Sequence, residues 1–279
     1  MAIAPPLTVR SLEPQIKCAV IEKLREREDF CDAVLASEFS VSGLRRADLV
    51  FANRHLEAFE IKSLADNLDR LSGQISTYMK YFNKVTVVTD ILHEEKILRM
   101  TPNCVEVWRF SINGTKKNIK IIRRGRTTKI NSRVAFQEML RVHEIKSVLR
   151  ENAVTYEGER RAELIRKTDH ISLSKLQKAV VNAVKSRFVK TFSNFLIATE
   201  GREILPDDLR LLSPHINNNN FRSSNPQKIS LEELLQQVKV PCADTSAHED
   251  VFIEMSKNIN CENLFGPVPE DIRRLLSKE

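Results

Sequence analysis

No apolar run in the sequence approaches the roughly 20 residues that a bilayer-spanning helix needs, and the start, MAIAPPLTVR, lacks the apolar stretch of a secretory signal. A cytoplasmic protein without a membrane partner is therefore expected. Five cysteines (Cys18, Cys31, Cys104, Cys242, Cys261) stand singly with no C-x-x-C, which argues for reduced thiols and against a zinc ribbon or disulfide framework. There is no nucleotide-binding P-loop, so no nucleotide cofactor is expected, and no repeat of solenoid period is visible.

What is present is enough for an ordinary core: 279 residues, 42% of them hydrophobic, leave room for two domains without staples. Lys and Arg outnumber Asp and Glu by 44 to 37, and the excess is clustered. From Arg109 to Arg133 there are nine basic residues and no acid (Arg109, Lys116, Lys117, Lys120, Arg123, Arg124, Arg126, Lys129, Arg133). A polyanion's phosphates attract such a cluster, although a solvated face can also carry it.

Periodicity divides the chain. Leu12, Ile16, Ala19, Val20 and Leu24 recur at helical spacing behind a Ser11 cap, predicting a helix that ends near Glu28. Three short β-rich segments follow, about 33–41, 47–52 and 56–63, with turn residues between them. Leu68, Leu71, Ile75, Met79 and Phe82 form one stripe of an amphipathic helix over 67–82, with Asp66 placed to cap it. A buried strand KVTVVT (84–89) completes the order α-β-β-β-α-β. Asn113-Gly114 predicts the turn of a further hairpin, which carries much of the basic cluster. Beyond Thr127 helices are expected over 132–151, 157–167 and 173–192, then a polar loop at 213–227 and two helical pieces. The expected domains are residues 1–127, a helical unit 128–212, and a tail 213–279.

Glu-Ile-Lys-Ser occurs twice, at 60–63 and 144–147. In a strand, residues i and i+2 share a face, so Glu60 and Lys62 stand side by side. In a helix the same spacing turns them roughly 200° apart. The second copy lies in a helical segment, so Glu144 and Lys146 cannot converge. The first copy is corroborated by Asp48, an acid opening the apolar run DLVFA without a turn or cap to explain it. A three-residue loop Asn53-Arg54-His55 would place Asp48 opposite Glu60 and Val50 opposite Ala58; a two-residue loop would break the pair. Paired carboxylates without His or Cys select a hard cation, Mg²⁺ or Mn²⁺, with the Ile61 carbonyl a natural third ligand. Lys62 beside such an ion can orient a water and balance charge on a phosphoryl transition state. On the next helix Arg70, Gln74 and Tyr78 form one polar line.

Asp48, then Glu60-Ile61-Lys62, then Gln74-Ile-Ser-Thr-Tyr78 and a buried strand resembles the PD-(D/E)xK nuclease superfamily. The wording is most similar to a group of small bacterial and phage proteins with R-x-D, E-I-K-S and Q-x-x-x-Y. The resemblance covers residues 33–90 firmly and 104–190 more loosely; it departs from the common pattern in having no proline before Asp48. It implies an α/β fold with a restriction-endonuclease-like αβββαβ core, an added basic hairpin and an all-α C-terminal region. It further implies a Mg²⁺-dependent deoxyribonuclease with Asp48 and Glu60 as metal ligands, Lys62 as catalytic lysine, and Gln74 and Tyr78 as helix residues that position metal, water or DNA backbone. A further acid from the first helix or strand is implied, with Glu38 the choice and Glu13 or Glu22 the alternatives. DNA would be gripped by Arg70, Lys116, Lys117, Lys120, Arg123, Arg124 and Arg126, and by the helix carrying Lys175, Lys178, Lys185, Arg187 and Lys190. A competing reading is an inactive relative that binds nucleic acid or a protein partner through the same surface. Self-association is left open.

Overall fold

A computed structural model of the protein describes residues 12–213 apart from residues 42, 44, 115 and 159. The chain divides into two units, 1–222 and 223–279, and all described residues belong to the first. The Ser11 cap and the expected elements beyond residue 213 lie outside the described residues.

The described elements run α1 (Leu12–Arg25), β1 (Val34–Val41), β2 (Arg45–Ala52), β3 (Leu56–Lys62), α2 (Leu71–Tyr81), β4 (Lys84–Thr89), α3 (Ile91–Met100), β5 (Glu106–Asn113), β6 (Lys116–Arg123), α4 (Arg133–Met139), α5 (Val142–Glu151), α6 (Arg161–Lys167) and α7 (Leu173–Ala198). The six strands form one mixed sheet in sequence order, β1-β2-β3-β4-β5-β6. β1, β2 and β3 are antiparallel, β3, β4 and β5 are parallel, and β6 returns antiparallel to β5. The protein is thus mixed α/β, with a helical region following the sheet.

Register follows from the loop. Asn53 N–H donates to the His55 carbonyl at 3.1 Å, and β2 meets β3 with Val50 opposite Ala58 and Leu49 opposite Phe59, as a three-residue connection requires. Every residue of β3 is buried, so the strand is covered on both faces and its polar residues must find partners inside the protein. Aromatic contacts tie the layers: Phe59 against Trp108 with centroids 5.5 Å apart, Phe39 against Phe188 of α7 at 5.7 Å, and Phe30 against Phe192 at 5.7 Å.

The structure differs from the sequence reading in four places. α2 begins at Leu71 rather than near residue 67, because Asp66 does not cap it; the Asp66 carboxylate instead accepts from Ser63 N at 2.8 Å and Ser63 Oγ at 2.6 Å, closing the turn after β3. The buried face of α2 carries Tyr78, fully buried, while Met79 is exposed. α3 was not anticipated; it starts where the Asp90 carboxylate accepts from Leu92 N and His93 N. The helix expected over 132–151 is two helices. At the break, Arg161 donates to the Leu140 and Gln137 carbonyls and Arg187 to that of Met139, satisfying the end of α4, while Glu144 reaches back to Arg141 N at 2.6 Å to start α5. In the hairpin, Asn113 pairs with Lys116, so the turn runs through Gly114 (φ +60°) instead of centring on Asn113-Gly114.

Candidate metal and phosphodiester site

One step beyond the Leu49–Phe59 pair the β2–β3 ladder gives way to a side-chain bond: the Asp48 carboxylate accepts from Ile61 N at 2.6 Å. This holds Asp48 beside Glu60, and the two interact electrostatically. Glu60 is 2% exposed and fully engaged. Lys62 Nζ donates to its Oε1 at 2.6 Å, Gln74 Nε2 donates to the same oxygen, and the Tyr78 hydroxyl lies 2.8 Å from its Oε2 and 2.7 Å from the Arg46 carbonyl oxygen. The i, i+4 spacing of Gln74 and Tyr78 on α2 thus delivers two hydrogen-bonding groups to one carboxylate.

A second group of carboxylates meets Asp48 from the other side. Glu13 of α1, Glu38 of β1 and Asp48 each offer an oxygen within 4.8 Å of the others. Glu38 interrupts the β1–β2 ladder between the pairs Ser37–Leu49 and Phe39–Ala47, and its backbone is left-handed (φ +57°). A glutamate there carries backbone strain that the surrounding ladder has to hold in place. Its side chain is fixed by Arg46 Nε at 2.6 Å and by Lys17 Nζ, which also lies 3.0 Å from Glu13 Oε1.

Electrostatics follow from this crowding. Burial, and then the Glu60 carboxylate, push the Asp48 carboxyl up to about 8 against the pull of Lys17 and the Ile61 amide. Burial, with Glu60 next, also raises the Tyr78 phenol well above its ordinary range, so it stays a neutral donor. Burial would lower the Lys17 ammonium, but Asp48 and Glu38 outweigh it and hold its pKa above the usual value. All the acidic donors here are carboxylate oxygens with no thiolate or imidazole among them, a donor set suited to a hard divalent cation.

Of the predicted site residues, Asp48, Glu60, Lys62, Gln74, Tyr78 and Glu38 come together, and Glu13 joins them. Glu22 does not; it accepts from Ile204 N at 2.8 Å and meets Arg25. Ile61 is paired opposite Val88, and its N–H, as noted, serves Asp48. Lys17 and Arg46 were missed; the signal for Lys17 was its i+4 spacing from Glu13.

The basic residues do not form one surface. Lys62, Thr89 and Arg109 lie in one row across β3, β4 and β5, and β5 runs past that row, so the hairpin tip with Lys116 projects from the same end of the sheet as the acids. β6 lies three strands from β3, about 14 Å away. Lys120 pairs opposite Arg109, whereas Arg123, Arg124 and Arg126 follow the strand back to the other end, where Arg126 N donates to Cys104 O. The Arg123 guanidinium is spent on the carbonyls of Leu98, Val105 and Pro102 and on Thr101 Oγ1, so it holds the fold instead of facing a ligand. Lys117 pairs with Glu203 at 2.7 Å. On α7, Lys175 donates to Asn152, Lys185 to the Asp32 carbonyl and Arg187 to Glu144, while Lys178 and Lys190 are exposed. Arg70 is exposed at the start of α2.

Together these features define a mixed α/β protein whose sheet gathers carboxylates and two lysines around the ends of β2 and β3. The model of the bacteriophage P4 protein cII family matches residues 8–213. Protein cII of Enterobacteria phage P4 is 33% identical over 211 residues, covering 75% of this chain and 80% of that protein. The chain belongs to the bacteriophage P4 cII family. Among solved structures, a protein of unknown function from Silicibacter pomeroyi matches 56% of this chain and 100% of its own at 16% identity with a TM-score of 0.34, a likeness too weak to carry an argument. Among the described residues no helix is long and apolar enough to cross a membrane.

Proposed function

We propose that this protein is a Mg²⁺- or Mn²⁺-dependent nuclease that hydrolyses DNA phosphodiester bonds, built on a restriction-endonuclease-like core. The observation that carries the reading is the meeting of Asp48, Glu60 and Lys62 at the ends of β2 and β3, with Gln74 and Tyr78 fixing Glu60. The α-β-β-β-α-β order of the first six elements supports it. Asp48 and Glu60 would hold the cation, which when bound would supply a Lewis acid for a phosphate oxygen, and Glu38 and Glu13 add negative charge next to them. Lys62, whose ammonium lies on Glu60, would orient a water and offset charge on the pentacoordinate state. Gln74 and Tyr78 keep the Glu60 oxygens in place. Lys116, Lys120 and Arg70 are exposed cations suited to the phosphate backbone, a positioning role without base reading.

Plasmid and single-stranded DNA incubated with the full chain and Mg²⁺ are expected to be cleaved, with cleavage lost on chelation and binding that weakens steeply with salt. No cleavage of any nucleic acid under any divalent cation would overturn the enzyme reading. Salt-sensitive binding without cleavage would favour the inactive binding protein instead.

A further inference from the structure

The outer carboxylate group already contains a cation. Lys17 is 6% exposed, its Nζ lies 3.0 Å from Glu13 Oε1 and against Glu38 Oε1, and it attracts Asp48. Those three acids are the ones whose oxygens lie within 4.8 Å of one another. The oxygens around an octahedral Mg²⁺ stand roughly 3 to 4 Å apart, so the group has the dimensions of a metal shell and the ammonium sits in it. Resting on the metal-dependent reading above, we propose that Lys17 is a positioning residue that fills the cation place formed by Glu13, Glu38 and Asp48 and thereby limits the centre to a single divalent ion on the Asp48–Glu60 side.

Charge supports the assignment. The four carboxylates of Glu13, Glu38, Asp48 and Glu60 face Lys17, Arg46 and Lys62, leaving one uncompensated negative charge with every acid ionised. One divalent ion satisfies that excess, and the phosphate it recruits balances the remainder. A second ion would have to displace a buried ammonium that two ion pairs tether. Lys17 then supplies, from within the protein, a positive charge that a two-metal centre takes from its second ion. Its stem runs up from a buried turn of α1, between Ile16 and Cys18, so the ammonium's position is set by the packing of that helix.

The test is a Mn²⁺ titration of the full chain, followed by the electron paramagnetic resonance of free Mn²⁺, on wild type, Lys17→Met, Lys17→Gln and Lys17→Arg, each checked by thermal melting. Lys17→Gln can still hydrogen-bond to Glu38 and guards against a failure of Lys17→Met to fold. Wild type and Lys17→Arg are expected to bind one Mn²⁺ per chain, and the two neutral variants to bind two. A single Mn²⁺ in every folded variant would overturn the proposal and leave the metal-dependent reading standing; a melting shift alone would then mark Lys17 as merely structural. Wild type that binds no Mn²⁺ would overturn both.

Discussion

The two Glu-Ile-Lys-Ser copies have the same four residues in the same order, and the backbone decides what they do. In β3, Glu60 and Lys62 lie on one side of the strand, 2.6 Å apart, and are met by Asp48 from the neighbouring strand. In α5, Glu144 reaches back to Arg141 N and is paired with Arg187 of α7, while the Lys146 ammonium lies 5.6 Å from the centre of the Tyr156 ring. The helical copy has one acid and a dedicated cation, so nothing is left over for a ligand. The strand copy lies where acids outnumber the cations that serve them. A short motif therefore becomes a candidate centre through the strand register beside it.

Exchange of the two lysines should separate the copies most widely. Lys62→Ala is expected to lower Mg²⁺-dependent DNA cleavage by about 10² to 10³-fold, the usual cost of removing one electrostatic stabiliser, and Lys146→Ala to leave it unchanged. Equal rates for the two variants would erase the distinction. The acids should divide in the opposite sense. Glu144 and Arg187 are both about nine-tenths buried, so Glu144→Gln strands a buried guanidinium and should cost about 3 kcal/mol in urea unfolding. Glu60→Gln should instead abolish the rise in melting temperature on adding Mg²⁺.

A pH series sharpens the contrast, because the two sites bend stability in opposite directions. Asp48 titrates at about 8 in the folded protein, above its unfolded value, so the folded state holds the extra proton between those values. Its contribution is full below the unfolded value near 4 and is lost as pH rises toward 8, so in urea unfolding metal-free Asp48→Asn should gain on wild type progressively across that range. Burial would raise Glu144, but Arg187 outweighs it and holds the carboxyl below its ordinary range. That contribution is complete above the unfolded value and disappears as pH falls through the lowered one, so only Glu144→Gln should flatten the acid limb of a stability curve. The smallest expected effect is Lys146→Ala on stability, about 0.5 kcal/mol for a half-buried cation over a ring.

Much of this was legible in the sequence, for identifiable reasons. Period-2 and period-3.6 patterns located the strands and the first helices, and an unexplained acid in DLVFA pointed to the β2–β3 register. What escaped depends on residues distant in the chain. The break between α4 and α5 is set by Arg161 and Arg187, 21 and 48 residues from the carbonyls they cap. Arg123 reads as one more cation in a basic run, and only the fold turns it inward onto three carbonyls. Lys17 sits on the buried face of α1, where a periodicity argument expects an apolar residue and has no means of naming its partners in β1.

In the proposed nuclease, β2 and β3 would bring Asp48 and Glu60 around one divalent ion beside Lys62. A crystal soaked in Mn²⁺ and measured for anomalous scattering addresses it directly. A peak coordinated by carboxylate oxygens of Asp48 and Glu60 is expected; Mn²⁺ bound elsewhere, with these two side chains still tied to Ile61 N, Lys62 and Tyr78, would rule such a centre out.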